Sequence, residues 1–286
     1  MKSVLIPVDF SESSLSTCKY AIETVPKNDP VSIWLFHVYA DQFIFQPLYD
    51  LDGFLVDPVV DVELFEEMKK IAKENMKKLK TDVEKYIDEK GYKKLTVKSF
   101  MVPGDPEWMI QDVCDELDAD VIVMSTRGAG KKDFLEGNMA KRIMGKAKIP
   151  VLAVPEKYGN YKLEKIMFAT HLEHAQEDID YTMMIYNNFK HLHPKIIITY
   201  FREEDDDGNF DFLSDVFNEY FQNGSLQTLF VPKNVKVKTV VKENDIDLIA
   251  FVAHKENPLK HLFKRVITKK DFLEAGVPVL GLPPEY

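Results

Sequence analysis

Cysteine is almost absent from this chain. Two thiols, Cys18 and Cys114, in 286 residues are too few for a disulfide framework, and both fall on apolar helical stripes where a reduced, buried thiol is expected. No stretch approaches the roughly 18 apolar residues that a membrane helix needs. The strand-like residues 3–8 follow Met1-Lys2 at once, so no signal segment is expected and a cytoplasmic location is. Positive charge is in deficit, 37 Lys and Arg against 47 Asp and Glu, net −10, which argues against nucleic acid or an anionic membrane as partner. Glycine is sparse, and between Val252 and Ala275 it is missing, so only the first half has the residues that let a backbone approach phosphate closely. A Walker-type loop is lacking too, because Gly130-Lys131-Lys132 has neither the preceding spacing nor the Ser or Thr. His171 with His174, and His191 with His193, are pairs without a third ligand, so no metal site is expected. The five acids at 203–207 lack alternating ligand spacing and read as a solvated loop.

What the chain does have is an alternation of short apolar runs and amphipathic stretches. Residues 3–8 form a continuous apolar run ending at Asp9, suited to a central parallel strand. Ser11 is placed to cap a helix whose Leu15, Cys18, Ile22 and Val25 recur on one face before Pro26 stops it. A strand at 31–40 leads into an irregular apolar stretch at 41–61, a loop length that in a compact domain is usually functional or covers something. Leu64, Met68, Ile71, Leu79, Val83 and Ile87 then hold helical spacing along a long helix closed by Gly91. After a strand at 95–102, Gly104-Asp105-Pro106 supplies a turn, an N-cap and a proline at the first helical position. Met109, Ile110, Val113, Cys114 and Leu117 are the inward face of that helix. The order β-α-β-α-β-α-β-α-β implies a parallel sheet covered on both faces, a doubly wound α/β fold.

The end of this unit recurs. Asp118-Ala119-Asp120 and its strand return at Asp245-Ile246-Asp247, 127 residues on, and Pro150-Val151-Leu152 returns at Pro278-Val279-Leu280, 128 residues on. That repeat predicts two domains, at 1–156 and 162–286. In the second, residues 163–170 and 196–201 read as strands around a helix at 177–189, and 235–241 as a further strand. Only 242–247 remain before the strand at 248–253, too few for a crossover helix, so this copy is expected to have lost an element. In the first, the strand ending at Ser125 empties into Thr126-Arg127-Gly128-Ala129-Gly130 and then Gly137-Asn138. A buried strand that opens into a flexible cationic turn and a helix N-terminus makes an anion pocket, because free amides and the helix dipole both favour phosphate. Arg127, Lys131, Lys132, Lys141, Arg142, Lys146 and Lys148 face only Asp133 and Glu136 within 127–148, which predicts local positive charge there.

Five blocks in order, Ile6-Pro7-Val8-Asp9-Phe10-Ser11, Phe36-His37-Val38, Val102-Pro103-Gly104-Asp105-Pro106, the stretch from Asp120 to Gly128, and Ile149-Pro150-Val151-Leu152-Ala153-Val154, resemble the universal stress protein family in its tandem form. The resemblance implies two α/β domains with doubly wound parallel sheets, adenine nucleotide alpha hydrolase-like, the second degenerate. They would pack as an internal pseudo-dimer whose last strands, at 151–154 and 279–282, pair across a pseudo-two-fold axis and remove two open edges. It implies ATP or AMP, with Mg, in the first domain: Asp9 and the backbone of Val38 near ribose and adenine, and Ser125, Arg127, Gly128, Gly137 and Asn138 around the phosphates. Pro7, Val8, Val102, Gly104, Met124 and Met139 complete the implied lining. Three departures stand out against the family motif: Ser125 replaces its first glycine, the spacer from Gly128 to Gly137 is one residue short, and Asn138 takes the place of a hydroxyl residue. In the second domain His171 falls at the position of Asp9, and Val252, His254 and Lys255 at those of Ser125, Arg127 and Gly128, so no nucleotide is expected there. The function this implies is regulatory nucleotide binding in a stress response, with a homodimer or protein partner. The alternative is a nucleotide-free scaffold, and slow ATP hydrolysis is a third reading with no catalytic residue to name.

Overall fold

The structure, a computed structural model, describes residues 1–39, 48–49, 55–56, 62–126, 139–156, 158–170, 175–202, 226–232, 234–253 and 275–284. In chain order the first half contains β1 (Ser3–Pro7), α1 (Glu12–Thr24), β2 (Val31–Tyr39), a hairpin of β3 (Leu48–Tyr49) and β4 (Leu55–Val56), α2 (Val62–Lys90), β5 (Leu95–Pro103), α3 (Pro106–Glu116), β6 (Val121–Ser125), α4 (Met139–Lys146) and β7 (Val151–Val154). The second contains β8 (Lys165–Thr170), α5 (Ala175–Phe189), β9 (Lys195–Arg202), β10 (Leu226–Pro232), α6 (Val237–Asn244), β11 (Leu248–Val252) and β12 (Val279–Leu282).

Ten strands make one sheet, ordered β10-β9-β8-β11-β12-β7-β6-β1-β2-β5. Read outward from its centre, the same order appears twice. Within each half of this sheet the described pairings are parallel, and the sheet's antiparallel pairing joins the halves, with Val279 opposite Ala153, Leu280 opposite Leu152 and Gly281 opposite Val151. Under the 128-residue offset this register maps onto itself about the Leu152–Leu280 pair, so the expected pseudo-two-fold axis passes there. All eight residues of β7 and β12 are buried, so these strands are interior members of one sheet rather than two exposed edges.

The strands are apolar on both sides because both faces are covered. Val4, Ile6, Leu152 and Leu280 pack beneath α1, α2 and α5, while Leu5, Val151, Ala153 and Val279 pack beneath α3, α4 and α6. The long helix departs from its expected face: Leu64 is 37% and Ile71 50% exposed. Its buried stripe is Ala72, Met76, Leu79, Val83 and Ile87, rotated about 90° from Leu64, Met68 and Ile71 at 100° per residue.

The expected strand at 235–241 is instead the start of α6, and the crossover element expected to be lost is present. Val235, Lys236, Val237 and Lys238 alternate like a strand, but Val237, Val240 and Val241 also stand at i, i+3 and i+4, and the structure buries that helical face. The repeated Asp-x-Asp explains itself as architecture. Asp118 and Asp245 both take left-handed backbone, φ 47° and 52°, where the chain leaves α3 and α6. Two residues on, the Asp120 carboxylate accepts from the amides of Lys2 and Ser3, and that of Asp247 from the amides of Glu164 (2.8 Å) and Lys165 (3.0 Å), clamping the starts of β1 and β8.

Candidate functional site

In a doubly wound sheet the ligand crevice lies where neighbouring strands send their chains to opposite faces. Here that place is between β1 and β6. After β1 the chain passes to α1 on one face, and the first described helix after β6, α4, lies on the other. The two strands pair only at their beginnings, Val4 with Val121 and Leu5 with Ile122. Their outer neighbours continue, β1 with β2 to Pro7–Phe36 and β6 with β7 to Ser125–Val154. The carboxyl ends of β1 and β6 therefore part from each other while each stays held on its far side. In the second half the equivalent ladder, β8 with β11, has one more rung.

Eight of the expected site residues come to the carboxyl ends of this half-sheet. Pro7, Val8 and Asp9 leave β1, and Met124 and Ser125 end β6. Val38 and Val102 sit directly opposite each other on β2 and β5, with Gly104 just past the end of β5. Met139 opens α4. Arg127, Gly128, Gly137 and Asn138 lie outside the described residues, as do Lys131, Lys132, His171, His174, His254, Lys255, the acids at 203–207, and residues 41–61 apart from the two hairpin rungs. The last described residue before the turn, Thr126, donates its amide to Val154 O at 2.9 Å and so extends the β6–β7 pairing.

The turn after β1 is tightly specified. Val8 N donates to Phe36 O at 2.8 Å, and Val8 O accepts from His37 Nδ1 at 2.7 Å. A carbonyl only accepts, so Nδ1 carries the hydrogen. Phe10 has left-handed backbone, φ 61°, and its ring lies 4.3 Å from that of His37. Between them Asp9 Oδ1 accepts from Ser11 N (3.0 Å), Ser11 Oγ (2.6 Å) and Ser14 Oγ (3.1 Å). Ser11 occupies the N-cap of α1 without making a side-chain cap bond. The Asp9 carboxylate gathers the helix start instead, and negative charge there also suits the helix dipole. Burial holds the His37 imidazole below its usual range, against the opposing effects of the Val8 carbonyl and the Asp9 charge.

At the neighbouring turn Asp105 caps α3 as expected, accepting from Glu107 N (2.8 Å) and Trp108 N (3.1 Å). Gly104 has φ 137°, a backbone that calls for glycine, and a Cβ there would also stand 3.2 Å from the flexible Met109 side chain at Cγ. The expected excess of positive charge is reduced by partners from α3, which lies outside the 127–148 window. Arg142 Nε pairs with Glu107 at 3.1 Å, Lys146 pairs with the same carboxylate, and Lys148 pairs with Asp115 at 3.0 Å. These bonds tie α4 to α3. His191, offered by sequence as half of a metal pair, directs Nε2 to Thr24 O at 2.9 Å at the end of α1.

A profile of the universal stress protein family matches residues 1–155. Over 155 residues the chain is 31% identical to a universal stress protein of Methanocaldococcus jannaschii, covering 54% of this chain and 81% of that protein. The chain belongs to the universal stress protein family. A universal stress protein from Archaeoglobus fulgidus superposes along both halves, with a TM-score of 0.65 at 18% identity over 98% of this chain and 96% of that one. A functionally unknown protein from Pseudomonas aeruginosa gives 0.56 at 12% identity over 99% and 93%. At such identities these likenesses speak for the fold, and they do so for its whole length.

Sequence reasoning missed His37 and Phe10 as parts of this site. His37 was visible only as a member of a family block, and nothing in a phenylalanine signals a left-handed backbone.

Proposed function

We propose that this universal stress protein is a cytoplasmic regulatory protein that binds an adenine nucleotide, ATP with Mg or AMP, in the first half only. The observation that carries the reading is the parting of β1 from β6 beneath a ring of expected lining residues, Asp9, Val38, Val102, Gly104 and Ser125, at the carboxyl ends of parallel strands. Ligands of doubly wound sheets bind in such crevices. In this reading Asp9 faces ribose, the backbone of Val38 meets the base, and the glycine-bearing turn with Arg127, Gly128, Gly137 and Asn138 receives the phosphates. The site's action in this reading is a shift between two conformations of different nucleotide affinity. The same reading divides the chain into a nucleotide-binding domain at 1–156 and a second domain at 162–286 that binds none.

Calorimetric titration with Mg-ATP and with AMP tests it. Wild type is expected to bind one nucleotide per chain, and Gly128→Val, which in this reading sets a side chain where the phosphates are received, to lose at least about tenfold in affinity, equivalent to roughly 1.4 kcal/mol. A silent wild-type titration refutes the reading and leaves the fold as a scaffold for a protein partner.

A further inference from the structure

We propose that His37 is a positioning residue of the first-half crevice: its ring ties the turn after β1 to the end of β2, so that Asp9 and Val38 are presented in one fixed geometry. The inference rests on the nucleotide reading of this crevice and deepens it. His37 immediately precedes Val38, whose partner across the ladder is Val102. From that anchored position Nδ1 donates to Val8 O at 2.7 Å, and the ring covers Phe10 at 4.3 Å. Asp9 lies between these two tethered residues. Its own bonds run to Ser11 and Ser14, on the α1 side of the turn.

The left-handed backbone of Phe10 is disfavoured for a residue with a Cβ and persists only where its surroundings hold it. The His37 ring is one such hold. Removing it takes a donor from Val8 O and a cover from Phe10 at once, and the carboxylate between them loses its fixed place. Asn or Gln at 37 would differ in reach: the Asn amide nitrogen stands near the place of Nδ1.

A purely structural histidine would change stability alone, whereas a positioning residue also gives the ligand a pH profile. Among the described residues Asp9, on the turn, is the charged group acting on the ring, and its neighbour across the ladder on β5 is the uncharged Met101. A ring released from the clip titrates near 6.5; burial holds the clipped ring below that. Protons therefore favour release: burial of the neutral ring stabilises the clip fully above about pH 6.5, and that stabilisation is lost as pH falls through the ring's lower native value, although the protonated ring still carries the Nδ1 hydrogen.

The test is calorimetry with Mg-ATP between pH 5.5 and 8 on wild type, His37→Asn and His37→Ala. Wild-type affinity is expected to fall at least about 3-fold between pH 7.5 and 5.5. His37→Asn keeps a donor and does not titrate, so it should hold neutral-pH affinity within about 3-fold and show a flat profile. His37→Ala should be weaker by about 5- to 10-fold throughout, the range of one lost hydrogen bond. An alanine variant that binds like wild type overturns the proposal. So does affinity that rises on acidification and flattens in His37→Asn, which would make the ring an anion ligand. If wild type binds no Mg-ATP at any pH, the nucleotide reading fails on its own. The positioning role is then decided by amide hydrogen exchange at residues 9–11: faster exchange in His37→Ala with restoration in His37→Asn sustains it, and equal exchange in all three overturns it.

Discussion

Cutting the two aspartate clamps should show how much of the fold's stability the repeated motif supplies. The Asp247 carboxylate accepts from Glu164 N at 2.8 Å, Lys165 N at 3.0 Å and Asn160 Nδ2 at 3.2 Å. Asp120 accepts from Ser3 N at 2.9 Å and from Lys2 N. A hydrogen bond to a charged group is worth about 1.5–3 kcal/mol, but these carboxylates lie near solvent, where screening and replacement by water bring each bond toward about 1 kcal/mol. Asp247→Ala should therefore cost about 2–3 kcal/mol and Asp120→Ala about 1–2 kcal/mol, with the Asn variants in between because one acceptor oxygen survives. Urea unfolding followed by circular dichroism measures this. Because one sheet runs through both halves, a single transition with unchanged slope and a lowered midpoint is expected for each variant. Asp120 stands at the amino ends of the first-half strands, opposite the crevice, so Asp120→Ala should bind Mg-ATP like wild type. If both alanine variants unfold within about 0.5 kcal/mol of wild type, the scatter of a neutral surface substitution, the clamp reading is wrong.

Two contacts elsewhere in the fold give further expected outcomes. A Cβ on Gly281 would stand 3.2 Å from Met144 Cγ and 3.3 Å from its Sδ, at the join between the halves. Gly281→Ala asks only a flexible side chain to give by a few tenths of an ångström and should be nearly neutral, whereas Gly281→Leu should cost about 1–3 kcal/mol by overpacking. Thermal melts decide it, and a Leu variant as stable as wild type refutes the packing account. At Glu23 burial alone would raise the carboxyl, but hydrogen bonds from the Tyr86 and Tyr92 hydroxyls (2.7 and 2.9 Å), with the charges of Lys27 and Lys90, outweigh it and hold the group below 4.5. A depressed carboxyl adds stability above its unfolded value and loses it as pH falls through the native one. The double variant Tyr86→Phe, Tyr92→Phe should thus be less stable than wild type at pH 7 and close to it at pH 3, and an equal gap at both pH values would contradict this.

The sheet was legible because its signals are redundant. Continuous apolar runs, the Asp105-Pro106 cap and the 127- to 128-residue repeat each point to parallel strands in two copies. Even the offset that sets His171 against Asp9 is kept by the strands before them, since Ile166 and Val4 both lie opposite the first residue of the equivalent strand. Where two periods fitted one segment, sequence failed. Val235 to Val241 satisfies both the two-residue and the helical repeat, and only the sheet beneath selects the helix. Leu64 and Ile71 joined an apparent stripe because helical spacing drifts over 29 residues, so positions seven apart stay close while distant ones rotate away. The charge count was incomplete for a different reason: within 127–148 it could not include Glu107 and Asp115, whose two carboxylates pair with Arg142, Lys146 and Lys148 from another helix and reduce the excess.

The antiparallel join of β7 to β12 also bears on how a bound nucleotide would act. Each half is internally parallel, so the carboxyl ends of the two halves open on opposite edges of the sheet and neither crevice completes the other. The ends of β1 and β8 are moreover finished differently. Asp9 reaches the serines of α1, while Thr170 Oγ1 donates to Asp178 Oδ1 at 2.5 Å in a buried pair. Besides the strand join, α1 links the crevice of the first half to the second half. It begins at the Asp9 turn, runs about 20 Å at 1.5 Å per residue, packs Tyr20 against Tyr158 with ring centroids 5.6 Å apart, and ends with Thr24 O on His191 of the second half. A ligand that changes how Asp9 sits acts on an element whose far end the second half holds. Such differential contact is what a regulatory role needs, and it requires no chemistry at the crevice and no second nucleotide.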